Sequence, residues 1–122
     1  MQRVAFQATK SAFEVTEYAL ICGVSDGRDT YLTLQRAPEG IADDEGVYIE
    51  HNDQINSGYD QIRRCTLERR RFAIDLVRPF RNLPEIDGFD VELNINDSDY
   101  AQLRMGLQRI FRGQLHVLSV VA

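Results

Sequence analysis

At 122 residues the chain has the length of one domain, read as spanning 1–122, and 43% apolar against 27% charged residues exclude wholesale disorder. A formal net charge of -5 argues against a nucleic-acid binder. The opening MQRVAFQATK lacks the apolar run of a secretory signal, and no later run approaches the roughly 18 apolar residues that cross a bilayer. The expectation is therefore a cytoplasmic protein that meets no membrane.

Alternating apolar and polar side chains mark the strands. Val4 and Phe6 begin the series, and Tyr18 to Val24 is almost continuously apolar, as in a central strand. Leu32 with Leu34, then Phe72, Ile74 and Leu76, then Phe89, Val91, Leu93 and Ile95 repeat the alternation. Turns are expected at Gly27 to Asp29, at Gly58, at the Glu68 to Arg71 corner and at Gly88. Ile62 stands out of phase with Cys65 and Leu67, which predicts a bulge near Arg63 and Arg64. Two longer connections, Ala37 to Gly46 and Arg78 to Gly88, hold the three prolines and read as surface loops.

One helix is predicted, capped by Ser98 or Asp97, with Tyr100, Leu103, Leu107 and Ile110 at helical spacing up to Gly113. Gly106 inside it permits close packing on the sheet, and Leu115 to Val121 can add a last strand. The fold class is α+β: a mostly antiparallel meander with one C-terminal helix packed on a face. Cys22 and Cys65, each inside a predicted strand, read as reduced core thiols.

Charge is segregated along the chain. Six acids and no Lys or Arg occupy 39–53, six more occupy 85–99, and seven arginines lie within 63–81. Cross-strand neutralisation is one reading, and an acidic face that steers a basic partner is the other. The stretch VYIEHNDQINSGYDQI from Val47 to Ile62 reads as strand, Asn/Asp/Gly-rich turn and strand, with more polar groups than a turn needs.

Chemistry of the enzymatic kind is poorly represented. His116 falls in an apolar tail and is expected to be packed or at an edge, and the chain has no nucleophile elbow, phosphate-cradling loop or paired Cys motif. Glu50, His51 and Asp53 can be imagined as an acid–base or metal cluster, but neighbours on a strand point to opposite faces. No catalytic residue, metal ligand or cofactor is therefore assigned. The arginines around Glu68 to Arg71 lack the aromatic partners of a nucleic-acid surface, so no nucleic acid is expected.

A binding module remains. Its candidate contact residues are Glu50, Asp53, Gln54, Asn56 and Tyr59 in the hairpin, with the neighbouring acidic loop residues Asp43, Asp44 and Glu45. Tyr59 would anchor a partner and the carboxylates would set specificity.

YLTLQRA at 31–37, DDEG at 43–46, the hairpin, RFAIDL at 71–76 and FDVELNINDSDYAQLRMGLQRIF at 89–111 stand in an order that resembles the immunity protein 10 family of bacterial polymorphic toxin systems. The resemblance covers most of the chain. The position after the hairpin tyrosine, often small in that family, is Asp60. What the resemblance implies is a non-enzymatic cytoplasmic protein that binds and neutralises a cognate toxin domain, with the family's polar series falling on Glu50, Asp53, Gln54, Asn56 and Tyr59. An acidic inhibitor suits a basic target such as a nuclease toxin. The alternatives are a small enzyme or metal-binding domain using Glu50, His51 and Asp53, and a structural protein that self-associates, for instance as a homodimer, through an edge strand.

Overall fold

In the computed structural model, which describes residues 1–121, the strands divide into two five-stranded sheets rather than one meander. β1 (Gln2–Ala8), β9 (Ile86–Leu93), β8 (Arg71–Leu76), β7 (Ile62–Glu68) and β10 (Leu118–Val120) form the first sheet in that order. The second runs β2 (Lys10–Val15), β3 (Leu20–Ser25), β4 (Tyr31–Arg36), β5 (Tyr48–His51) and β6 (Asp53–Tyr59), antiparallel throughout. With α1 (Asp97–Ile110) as the only helix among the described residues, the class is α+β and mostly antiparallel, as the alternation predicts. The exceptions are the outermost pairs of the first sheet, β1 with β9 and β10 with β7, which are parallel, as the long connections between them permit.

The chain changes sheets between β1 and β2 at Thr9 alone, and again between β6 and β7 at Asp60 and Gln61. Asp60 takes a left-handed φ of 56°, which a short polar side chain tolerates. The predicted bulge is present, as a register shift between Ile62 and Arg64. Gly58 and Gly88 are not turn residues. Both lie inside strands and are small because something covers them: the Gln61 side chain over Gly58 and the Arg3 guanidinium over Gly88.

Alternation decides which residues meet. Leu20, Cys22 and Val24 of β3, Leu32 and Leu34 of β4 and Ile49 of β5 turn inward, where they join Cys65, Leu67, Phe72, Ile74, Phe89 and Val91 of the first sheet in one apolar cluster. Phe80 from the loop after β8 is also buried there, against Phe89, so this loop plugs the core instead of only skirting it. Cys22 and Cys65 are free and buried, and burial pushes the Cys22 thiol up to about 12.

The helix packs across β2, β3 and β4, burying Leu103, Gly106, Leu107 and Ile110. Its cap is Asn96, one residue before the predicted Asp97 and two before Ser98; the Asn96 side-chain oxygen accepts from the Asp99 N–H at 2.8 Å. At the other end, Nη1 of Arg36 donates to the carbonyls of Ile110 and Arg112, each at 2.8 Å, satisfying groups that a helix terminus leaves open. No helix among the described residues is long and apolar enough to cross a membrane. His116 stands exposed in the turn before β10 rather than packed.

Candidate functional site

The helix and the first sheet cover only the inner face of the second sheet. Register places Thr33, Glu50 and Ser57 in one row across β4, β5 and β6, and Gln35, Tyr48 and Tyr59 in the next. These side chains belong to the outer face, and none of them is buried. Strands that read as half-buried in sequence thus present a continuous polar and aromatic surface on the side away from the core.

Glu50 is the centre of this surface. Its two carboxylate oxygens accept from different phenols, Oε2 from Tyr31 at 2.5 Å and Oε1 from Tyr48 at 2.6 Å. The bond to Glu50, assisted by burial, pushes the Tyr31 phenol up to about 12, and burial followed by the same carboxylate raises Tyr48. The Tyr48 ring also leans on the Tyr59 ring, with centroids 5.2 Å apart and planes tilted by 52°. Three tyrosines and one carboxylate therefore hold each other in a fixed arrangement.

Gln35, Tyr48, Glu50, Gln54, Ser57 and Tyr59 line a shallow depression. A second depression shares Gln35, Tyr48 and Tyr59 and is lined also by Tyr18, Ile41, Asp43, Glu45 and the Asp44-paired Arg36. Together they make one groove along the open face, flanked by acids.

The eight residues proposed from sequence do not all belong to it. Glu50, Gln54 and Tyr59 line the groove, and Asp43 and Glu45 stand exposed at its far end. Asp44 is instead a structural carboxylate. Nε and Nη2 of Arg36 donate to it at 3.0 and 2.8 Å, it accepts from the Gly46 N–H at 2.9 Å, and the Arg36 bond holds its carboxyl below the usual range. Asn56 is likewise removed from the surface. It points inward, 9% exposed, and donates to the His51 carbonyl at 3.3 Å, because alternation puts it on the opposite side from Ser57. Asp53 sits at the hairpin corner, accepting from the Ile55 N–H at 3.1 Å, beside Asn52 with its left-handed φ of 61°.

Glu50, His51 and Asp53 do not converge. His51 is buried on the inner face, its Nδ1 3.0 Å from the Tyr31 carbonyl and its ring edge-on to Phe89 at 4.9 Å, while Glu50 faces out between its tyrosines. Burial lowers the His51 pKa. Among the described residues no group of three or more His, Cys, Asp or Glu side chains is placed to hold a metal ion.

Sequence reasoning missed Tyr48, Gln35, Tyr18 and Ile41 in the groove, and Tyr31, which holds Glu50 from beside it. Tyr48 had a usable signal, since it lies two positions before Glu50 on one strand and must share its face. Tyr31 had none, because only the pairing of β4 with β5 brings it there.

The segregated charges resolve in two ways. Arg71 pairs with Asp90 at 2.7 Å and Arg69 with Asp97 at 2.9 Å, which is the neutralisation between the arginine run and the second acidic run. The first acidic run is answered from elsewhere: Glu39 by Arg109 at 2.8 Å and Asp44 by Arg36 at 2.8 Å. Comparison with family models, with curated proteins and with solved structures returned no match, so the chemistry of the groove itself has to carry the functional reading.

Proposed function

We propose that this protein is a cytoplasmic, non-enzymatic immunity protein that binds a cognate toxin domain and neutralises it, using the open face of β4, β5 and β6 as its contact surface. The observation that carries this is the Tyr48–Tyr59 ring pair beside Glu50 on the outer face of the sheet. Tyrosines supply large contact area at little ordering cost, and here their positions are already fixed before binding. The acids at the groove's end and the sequence resemblance to immunity protein 10 support the same reading. A basic toxin surface, such as that of a nuclease, complements them.

The test is co-expression with the C-terminal domain encoded by the reading frame immediately upstream, followed by capture of the pair. Tyr59→Ala is expected to weaken the complex by about thirtyfold, as for a hot-spot aromatic. Association should slow by about tenfold or more as ionic strength rises from low to high. An on-rate indifferent to salt, or a complex unaffected by Tyr59→Ala, would place the toxin surface elsewhere.

A further inference from the structure

We infer that the groove takes an arginine side chain presented by the partner, with the guanidinium seated on Glu50 and stacked against Tyr59. This rests on the partner-binding reading of the same surface and adds the chemistry that it recognises. Ion pairs within the protein reach Glu39, Asp44, Asp75, Asp90 and Asp97, whereas none among the described residues reaches Glu50. Glu50 is nevertheless half-buried, held by two neutral phenols. The phenols satisfy part of its hydrogen bonding and leave the place of a cation open.

Its remaining capacity has a definite form. A carboxylate accepts at about four positions over two oxygens. Tyr31 and Tyr48 occupy one on each oxygen, so both oxygens retain acceptor capacity, and both are fixed in orientation. Two oxygens each able to accept one more N–H match the planar fork of a guanidinium.

The walls select the same ligand. Tyr59 is 44% exposed and lies over Tyr48, so an open aromatic surface borders the carboxylate, and Gln35, Gln54 and Ser57 supply neutral polar edges. A guanidinium is weakly hydrated and stacks on aromatic rings, whereas an ammonium is strongly hydrated and has no flat surface to stack. Asp43 and Glu45 at the far end of the groove raise the local concentration of any basic segment.

The experiment is an amide NMR titration of the full chain with N-acetyl-Gly-Arg-Gly-amide, run beside the citrulline and lysine counterparts. Arginine is expected to shift resonances centred on Gln35, Tyr48, Glu50, Gln54, Ser57 and Tyr59. The citrulline peptide should produce no saturable shift, and the lysine peptide should bind several-fold more weakly. Glu50→Gln, which keeps the shape and removes the charge, should weaken arginine binding by about tenfold. Tyr59→Ala, at an exposed position, gives an independent check should Glu50→Gln disturb the tyrosine cluster, and a loss of at least several-fold is expected. Shifts scattered over the surface, equal binding of citrulline or lysine, or arginine binding that survives both variants would overturn the inference.

Failure of the broader reading is separable. If the upstream toxin domain is not captured while the arginine peptide binds as described, the immunity reading falls and the arginine site stands. Capture of that domain with no response to the arginine peptide overturns the arginine site alone.

Discussion

At the scale of single residues, the tyrosine–carboxylate cluster makes a prediction that needs no partner. The Tyr31 phenol is raised from 10.0 to about 12 chiefly by its bond to Glu50, so Glu50→Gln should bring its ionisation back toward the ordinary value. Ultraviolet titration of the phenolates, with Tyr31→Phe identifying the signal, measures this directly. The sign for stability follows from linkage: a folded-state pKa above the unfolded one stabilises fully below about pH 10 and is lost as pH rises through about 12. Wild type should therefore lose more stability than Glu50→Gln over that alkaline window. A Tyr31 signal unmoved by Glu50→Gln would mean that the bond contributes nothing in solution.

The helix and its glycine set the next scale. A Cβ built at Gly106 would stand 2.5 Å from the Cys22 sulfur and 2.6 Å from the Phe13 ring, closer than van der Waals contact allows. Gly106→Ala gains about 1 kcal/mol of helix propensity. It forces a shift in a packed interface that costs roughly 1–3 kcal/mol. The expected net is a destabilisation of about 1 kcal/mol in chemical denaturation, with only part of it recovered when Cys22→Ala removes the sulfur, because the Phe13 contact remains. A stabilised Gly106→Ala protein would show that the helix rides higher on β2 and β3 than described. The same packing explains why the helix tolerates a glycine in its interior: close approach offsets the lost propensity.

For the molecule as a whole, Arg36 joins the acidic loop, the end of the helix and the edge of the second sheet's core. Its side chain is 11% exposed, and it bonds Asp44 as well as the Ile110 and Arg112 carbonyls. Arg36→Ala removes the close ion-pair partner of a partly buried carboxylate and the donor to a helix terminus, at a cost of about 2–4 kcal/mol. Arg71→Ala should cost less than about 1 kcal/mol, since its side chain is 51% exposed and its partner Asp90 keeps the ion pair with Arg3. Comparing the two denaturation midpoints checks this. Equal effects would mean that the Arg36 junction does not tie these parts together. Because Asp43 and Glu45 flank Asp44, a loosened loop should also weaken partner capture without touching the tyrosines.

Much of the architecture was legible because it depends on local periodicity. Phe89, Val91 and Leu93 alternate, as do Phe72, Ile74 and Leu76, and both became strands with those residues inside. Tyr100 to Ile110 follows a helical period, and the out-of-phase Ile62 marked a real bulge. Glu50 and His51 were placed on opposite faces by strand geometry alone. The division into two sheets was not legible, since parallel pairing of β1 with β9 joins residues more than 80 positions apart and leaves no mark on either strand. Nor was the groove, for the composition of a strand does not say which strand lies beside it. Asn56 and Tyr59 were both contact candidates in sequence, Tyr59 as the anchor; one became a buried bond to His51 and the other an exposed ring. By itself, then, the order of residues determined the elements, their faces and the acidic character of the chain, because each follows from side chains near in sequence. Only the tertiary structure decided that Tyr31, Tyr48 and Glu50 meet, that Asp44 is taken by Arg36 and that one sheet face stays open, because these depend on which distant strands pair.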